Sequence, residues 1–405
     1  MIPFKKFIKE QNLFEAKNAH LSHIDQTVLI DGGDGIKTTI NFLESLIDML
    51  SGGKSGKLKI GLKWDGSPGL TAGIDPVTKK FFVGTKSVFA KKVPKVNFTN
   101  ADVDKFHSGS GDLVNKLKLA LKLLPKIWKG DGVFQGDLMF TDKQKSKESI
   151  DDESLIVFRP NSIAYGVPVD SDLGKEIKDA KLGIAFHTRY TGKTLPEMSA
   201  SFDVSKSEFK QHKDVWFDDA NLTDVGGALF SKSETKNLNS LLKKLKTISS
   251  KTKSSITKIK TNSNGIAKEL ERYDNNEIKQ GFVITNSKKF FSNFIDWLIK
   301  EKKSNLKSFD SVKEKTLRDQ LKSEKRDWET VIEFMAQTII IKNQIVIQLN
   351  KVKQLKTFLK TDSGFKVVGQ EGFTAISNGQ IVKLVDRLEF TKNLFTTAKN
   401  WDAKV

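Results

Sequence analysis

The sequence predicts an α+β fold, with short strands and tight turns through the first half of the chain and long helices through the third quarter. Three observations carry this. All eight prolines of the 405 residues lie at or before Pro196. Up to that point short apolar runs alternate with Gly, Pro, Asn and Asp, the punctuation of strands and turns. From Ser231 to Lys360 only Gly265 and Gly281 interrupt helical periodicity, as expected of long helices.

Taken in order, Lys57 to Leu62, Phe81 to Thr85, Val133 to Phe140, Leu155 to Arg159 and Leu182 to Tyr190 read as strands. Between them Ile36 to Leu50, and Leu113 to Trp128 with its Leu-x-x-x-Leu spacing, read as amphipathic helices. Further on, Leu238 to Ile248, Phe290 to Lys300 and Trp328 to Leu359 carry the helical period. The most apolar stretch, Val331 to Leu349, is broken by Glu333 and Lys342 and reads as a buried helix rather than a membrane span.

Three motif-like segments fail on inspection. Ser51 to Gly56 looks like the end of a phosphate-binding loop, but Asp48 stands where the motif needs glycine, so it reads as a flexible link. Asp31 to Gly35 lacks the remaining acidic ligands of a calcium loop and reads as a turn before a helix. His20 and His23 lack a third metal ligand, which favours a structural reading.

A composition of 38% hydrophobic and 29% charged residues is that of a soluble globular protein. There is no cysteine, so disulfides and thiolate metal sites are excluded, and an intracellular setting is expected. The start, Met1 to Phe7, has no apolar segment behind its lysines, which argues against a secretory signal. A cytoplasmic protein with no membrane role follows as the expectation.

The net charge is +19. Residues 231–360 hold 26 lysines and three arginines against 14 acidic residues, a surplus of 15, so the charge is concentrated in the helical part. A polyanionic partner is indicated. Only six of the 68 basic residues are arginine. Lysine is a mobile point charge and arginine the usual reader of base edges, so the expectation is backbone binding with little sequence preference.

Four segments carry chemistry. Lys63-Trp64-Asp65-Gly66 runs a lysine from a strand into a tight turn. Phe134-Gln135-Gly136-Asp137-Leu138-Met139 sets a carboxylate after a glycine inside an apolar strand, and Gly183-Ile184-Ala185-Phe186-His187 is a strand with an aromatic. Glu371-Gly372-Phe373 precedes Lys383 in Ile381-Val382-Lys383-Leu384-Val385. In this order the segments resemble the motifs of the ATP-dependent polynucleotide ligases, a branch of the covalent nucleotidyltransferase superfamily that also contains the mRNA capping guanylyltransferases. The resemblance covers residues 60–200 and 364–395. The absence of cysteine departs from the NAD-dependent ligases, which carry a four-cysteine zinc finger.

The resemblance implies an antiparallel-sheet nucleotidyltransferase (adenylation) core, ATP as cofactor and Mg2+ or Mn2+ as metal. It makes Lys63 the nucleophile that takes AMP, with Asp65 holding the site and Gly66 letting the backbone turn around the nucleotide. Lys86 falls where relatives put a basic residue that touches the ribose or 5′-phosphate. Asp137 stands for the family's glutamate at the ribose or a metal-bound water, with less reach, and Glu371 is the second metal candidate. Phe186 is the chosen aromatic face for adenine, with Tyr165 competing. Lys383 would offset charge as pyrophosphate leaves. Two departures stand out. Pro68 replaces the basic residue or asparagine common after the glycine, and Val385 replaces the second lysine of the last motif, leaving Arg387 or a cation from the helices to substitute.

The expected organisation is an N-terminal helical segment (1–56), a first core part (57–230), a basic helical insert acting as nucleic-acid clamp (231–360) and C-terminal core strands (361–405). No C-terminal OB-fold is expected, because about 20 residues follow Lys383. The expected activity is joining of 5′-phosphate and 3′-hydroxyl ends through lysyl-AMP and an adenylylated end, sealing nicks in duplex DNA with tolerance of RNA strands, in the manner of a monomeric DNA-repair ligase. RNA joining, GTP-dependent capping and non-catalytic DNA binding are the alternatives.

Overall fold

The computed structural model describes residues 22–388, leaving out 54–57, 203, 222–225, 264, 307, 353–355, 362–363, 368–370 and 378–379. Residues 1–21, with His20, part of the Ser51 to Gly56 link, and the chain from 389 on lie outside the described residues. The fold is α+β, with strands gathered into three mainly antiparallel sheets and ten α-helices among the described residues.

The strands are β1 (Lys59–Leu62), β2 (Gly69–Ile74), β3 (Phe81–Gly84), β4 (Val133–Thr141), β5 (Lys145–Ile150), β6 (Glu153–Phe158), β7 (Ile163–Pro168), β8 (Leu182–Thr191), β9 (Ser199–Ser201), β10 (Val215–Asp218), β11 (Lys356–Thr361), β12 (Gly364–Val367), β13 (Phe373–Ser377) and β14 (Gln380–Leu384). One sheet has the order β10-β8-β4-β2-β3, with β9 also on β8 and β10 its one parallel edge. A second runs β12-β11-β7-β6-β5, and a third, of three strands, runs β1-β13-β14.

The helices are α1 (Thr27–Asp31), α2 (Gly33–Leu50), α3 (Asn100–His107), α4 (Asp112–Leu123), α5 (Asp172–Asp179), α6 (Lys232–Asn262), α7 (Ile266–Lys279), α8 (Ser287–Asn305), α9 (Ser311–Ser323) and α10 (Lys325–Leu349). α4 covers one face of the six-stranded sheet, burying Leu117, Ala120 and Leu123 with Phe134, Leu138, Ile184 and Phe186. α6 opens on a capping box, in which Ser231 and Glu234 bond each other's backbone N–H groups. α2 packs on α6, and α6 and α8 flank α10, so the N-terminal helices and the later ones form one layer.

α10 is apolar over most of its length because it is largely packed against its neighbours: Trp328, Val331, Phe334, Met335, Ile341 and Ile345 are all buried, while Ile340 and Ile347 are exposed. It is long and apolar enough to cross a membrane by length and composition, and 61% of that stretch is buried in the protein. The helix ends at Leu349, ten residues before the expected Leu359. Lys356–Thr361 is instead a strand, β11, paired with β7 so that Phe358 lies opposite Ala164. Its Thr-Phe pair is buried, and sheet pairing overrides the weak helical period of this segment.

Candidate active site

A cleft of about 290 Å3 opens between the three-stranded and six-stranded sheets. Its first wall follows from strand alternation. Ile60 and Leu62 on β1, Phe373 and Ala375 on β13, and Val382 and Leu384 on β14 are buried in the main core. The intervening residues Gly61, Thr374, Ile376, Ile381 and Lys383 therefore face the cleft. Gly61, Thr374 and Lys383 form one row across the sheet. Glycine is needed in that row, since a Cβ at 61 would come within 2.6 Å of Thr374 Oγ1.

The opposite wall is β4 and β8. Gln135 and Asp137 of β4 face the cleft, while Phe134 and Leu138 join the core under α4. On β8 Ala185 faces the cleft and Phe186 faces the core. A register shift then leaves His187 unpaired, as Gln135 pairs with Thr188 and Gly136 with Phe186. This bulge turns His187, Thr188 and Tyr190 to the cleft as well.

Lys63 follows β1 directly. Its backbone N–H donates to Gly372 O (3.0 Å), and its ammonium donates to Glu371 Oε1. Four residues that the sequence singled out, Lys63, Lys86, Asp137 and Lys383, line this one cleft. Glu371 adjoins it through its bond to Lys63; its other oxygen, Oε2, is buried with no hydrogen-bond partner among the described residues. Burial lifts the Glu371 carboxyl to about 7 against the pull of Lys63, with Asp65 lifting it further and Lys383 opposing. Burial lowers the Lys383 ammonium from its ordinary value, and the neighbouring Lys63 lowers it more.

Asp65 lies behind the wall. Its carboxylate accepts from Asn161 Nδ2 and from the backbone N–H groups of Ser162 and Ile163, each at 2.8 Å, tying the lysine loop to the start of β7. Gly66 passes over β4, where a Cβ would sit 2.5 Å from Asp137 Cβ. Its tight approach is to Asp137.

The two aromatic candidates are corrected by the structure. Phe186 is wholly buried and stacks on Phe209 at 4.3 Å, with Trp128 and Phe134 around it, on the far side of the sheet from the cleft. Tyr165 is wholly buried too, packed between Trp64 and Phe158, and its hydroxyl accepts from the Asp65 backbone N–H at 2.7 Å. The rings that do line the cleft include half-buried Phe202 and Tyr190, whose hydroxyl donates to Gln135 at 2.7 Å. His187 joins them, its Nε2 lying 3.7 Å from Asp137 Oδ2 and its Nδ1 2.7 Å from Thr188 Oγ1. The sequence signal for His187 was present in strand alternation, because a core-facing Phe186 puts its neighbours on the other face.

Arg387 is likewise elsewhere. It binds Asp25 (3.2 Å) and Asp274 (2.7 Å) in a buried cluster joined by Lys342, 3.4 Å from Asp25. Lys342 also donates to the backbone oxygen of Val385 (2.7 Å). Neither cation lines the cleft.

A family model covering residues 18–399 matches this chain. The chain belongs to DUF6267, a family of unknown function. No curated protein and no solved structure matches it. For this DUF6267 chain the reading of the cleft therefore rests on its own side chains. Among the described residues no group of three or more His, Cys, Asp or Glu gathers to hold a metal. The two acidic candidates, Asp137 and Glu371, act together with Asp65 on the Tyr165 hydroxyl, whose pKa burial raises well above the ordinary value.

Proposed function

We propose that the cleft binds ATP, that Lys63 takes AMP from it, and that the protein is an ATP-dependent polynucleotide ligase built on a nucleotidyltransferase core. The observation that carries this reading is convergence. Lys63, Lys86, Asp137 and Lys383 come from four separate parts of the chain and meet in one cleft, with Glu371 bonded to the lysine.

A lysine near its usual pKa of about 10.4 is protonated and cannot attack. Glu371, made more basic by burial, is placed to take the ammonium proton. The freed amine attacks the α-phosphorus of ATP; the new P–N bond forms as the bond to pyrophosphate breaks. Lys383 and Lys86, both on the cleft, offset the negative charge of the phosphates. In the second step AMP passes to a 5′-phosphate, releasing the amine. In the third a 3′-hydroxyl attacks that phosphate and AMP leaves.

Mg2+ (or Mn2+) fits as an ion that arrives with the nucleotide. Magnesium commonly takes one or two carboxylates and fills its shell with water and phosphate, and the partnerless oxygen of Glu371 and the carboxylate of Asp137 are the groups to hold it. When bound, the ion would neutralise phosphate charge. The adenine ring finds Phe202 and Tyr190 on the cleft in place of Phe186.

The test is to incubate the protein separately with ATP and GTP labelled at the α-phosphate, then with nicked DNA, RNA and hybrid duplexes. Covalent label from ATP that survives alkali, is released by acid and is lost in Lys63→Ala, with sealed DNA nicks, is expected. Label from GTP alone means a capping-type transferase, sealing confined to RNA means an RNA ligase, and no label from either means a binding protein; each would overturn the proposal.

A further inference from the structure

Away from the cleft, the helical layer holds a second concavity of about 820 Å3 between α6, the end of α9 and the start of α10. Five cations line it: Lys251 and Lys258 from α6, Lys322 from α9, and Lys325 and Arg326 from α10. Three carboxylates, Asp327, Glu329 and Glu333, line it too.

The pairing within this groove is uneven. Lys258 lies 3.7 Å from Asp327, which also accepts from Ser255 Oγ, and Lys325 lies 3.8 Å from Glu329. Glu333 accepts from Gln337. Lys251, Lys322 and Arg326, each exposed, have no carboxylate within 4.0 Å among the described residues. Lysines on the side of α6 that faces the N-terminal helices behave differently. Lys246 pairs with Glu44 at 2.7 Å, Lys260 donates to the Ile30 carbonyl at 2.6 Å, and the Lys253 stem lies over Gly33.

Three unneutralised cations brought by three helices to one concavity repel each other, and a partner's negative charge would relieve that repulsion. The groove is far larger than one inorganic anion. Exposed Lys244, Lys251 and Lys258 also recur every seven residues along one face of α6, a stripe about 21 Å long at the rise of an α-helix. An extended polyanion fits such a stripe. We infer that the groove seats the phosphate backbone of duplex nucleic acid. The choice of nucleic acid over other polyanions rests on the ligase reading, while the seat itself rests on the three helices.

The experiment uses the full chain and a fluorescein-labelled nicked DNA duplex, followed by anisotropy from low to high salt. The variant Lys251→Gln/Lys322→Gln/Arg326→Gln is compared with a control of equal charge loss, Lys279→Gln/Lys288→Gln/Lys300→Gln, at three other exposed lysines of the helices. The groove variant should bind about tenfold more weakly or worse near 0.1 M salt, with a slope of log affinity against log salt shallower by about 2 to 3. The control should lose no more than about threefold, and both should melt like the parent. Equal losses in the two variants, or unchanged binding in the groove variant, overturn the inference. A groove-specific loss in a protein that takes no label from ATP keeps the seat and sinks the ligase reading.

Discussion

Glu371 is the residue on which the proposed chemistry turns. Its carboxyl touches Lys63 and faces Asp65 and Lys383, and burial lifts it to about 7. Only the ionised form can accept the lysine proton, so self-adenylylation should rise with pH through about 7 and fall as the carboxyl protonates below it. Glu371→Gln should slow the reaction at least tenfold and remove that inflection, measured as the initial rate of label uptake from pH 5.5 to 9. An unchanged inflection in the variant would assign it to another group. Phe186 makes the opposite case. Phe186→Ala should cost about 3–5 kcal/mol of stability through the cavity it leaves, read by denaturant melts. Its ATP affinity, read by calorimetry, should stay within about twofold of the parent. The sequence displayed both residues as motif members but could not show that Phe186 turns to the core, because the side of β8 it occupies is fixed by the packing of α4 on that sheet.

At the scale of elements, strand β14 links the cleft to the helices. Lys383 N donates to Ser22 O and Lys383 O accepts from Ile24 N, so residues 22–24 run along the strand that carries the cleft lysine. Two residues on, Val385 O accepts from Lys342 of α10, and Arg387 enters the buried cluster with Asp25 and Asp274. Burial pushes the Asp25 carboxyl up, but Lys342 and Arg387 outweigh it and hold the group well below the ordinary carboxylate range. Lys342→Met should therefore cost about 3–5 kcal/mol, since it leaves Asp25 short of charge in a buried site; a loss under 1 kcal/mol in denaturant melts would show the cluster is not needed. In the sequence Lys342 stood out only as a charge in an apolar helix. The long helices and most strands of the first half could be read from period and turn residues. β11 could not, since its place in the sheet depends on pairing with β7, some 190 positions earlier in the chain, as well as with the adjoining β12.

For the whole molecule, the arrangement is a cleft between two sheets backed by a basic helical layer. The order of the motif residues was legible because each lies in or beside a short strand marked by its apolar run and flanking turn residues. The convergence itself was not, since it depends on β13 and β14 returning to β1 across some 300 residues. The helical charge was legible as a count; its division into lysines engaged by neighbouring helices and lysines left open in a groove appears only once α6, α9 and α10 are packed. The most direct test of the account is to incubate the protein with ATP and magnesium, digest it, and locate the modification by peptide mass spectrometry. One AMP, on Lys63, is expected. AMP on another residue, or an unmodified Lys63 after incubation with ATP and pyrophosphatase, would contradict it.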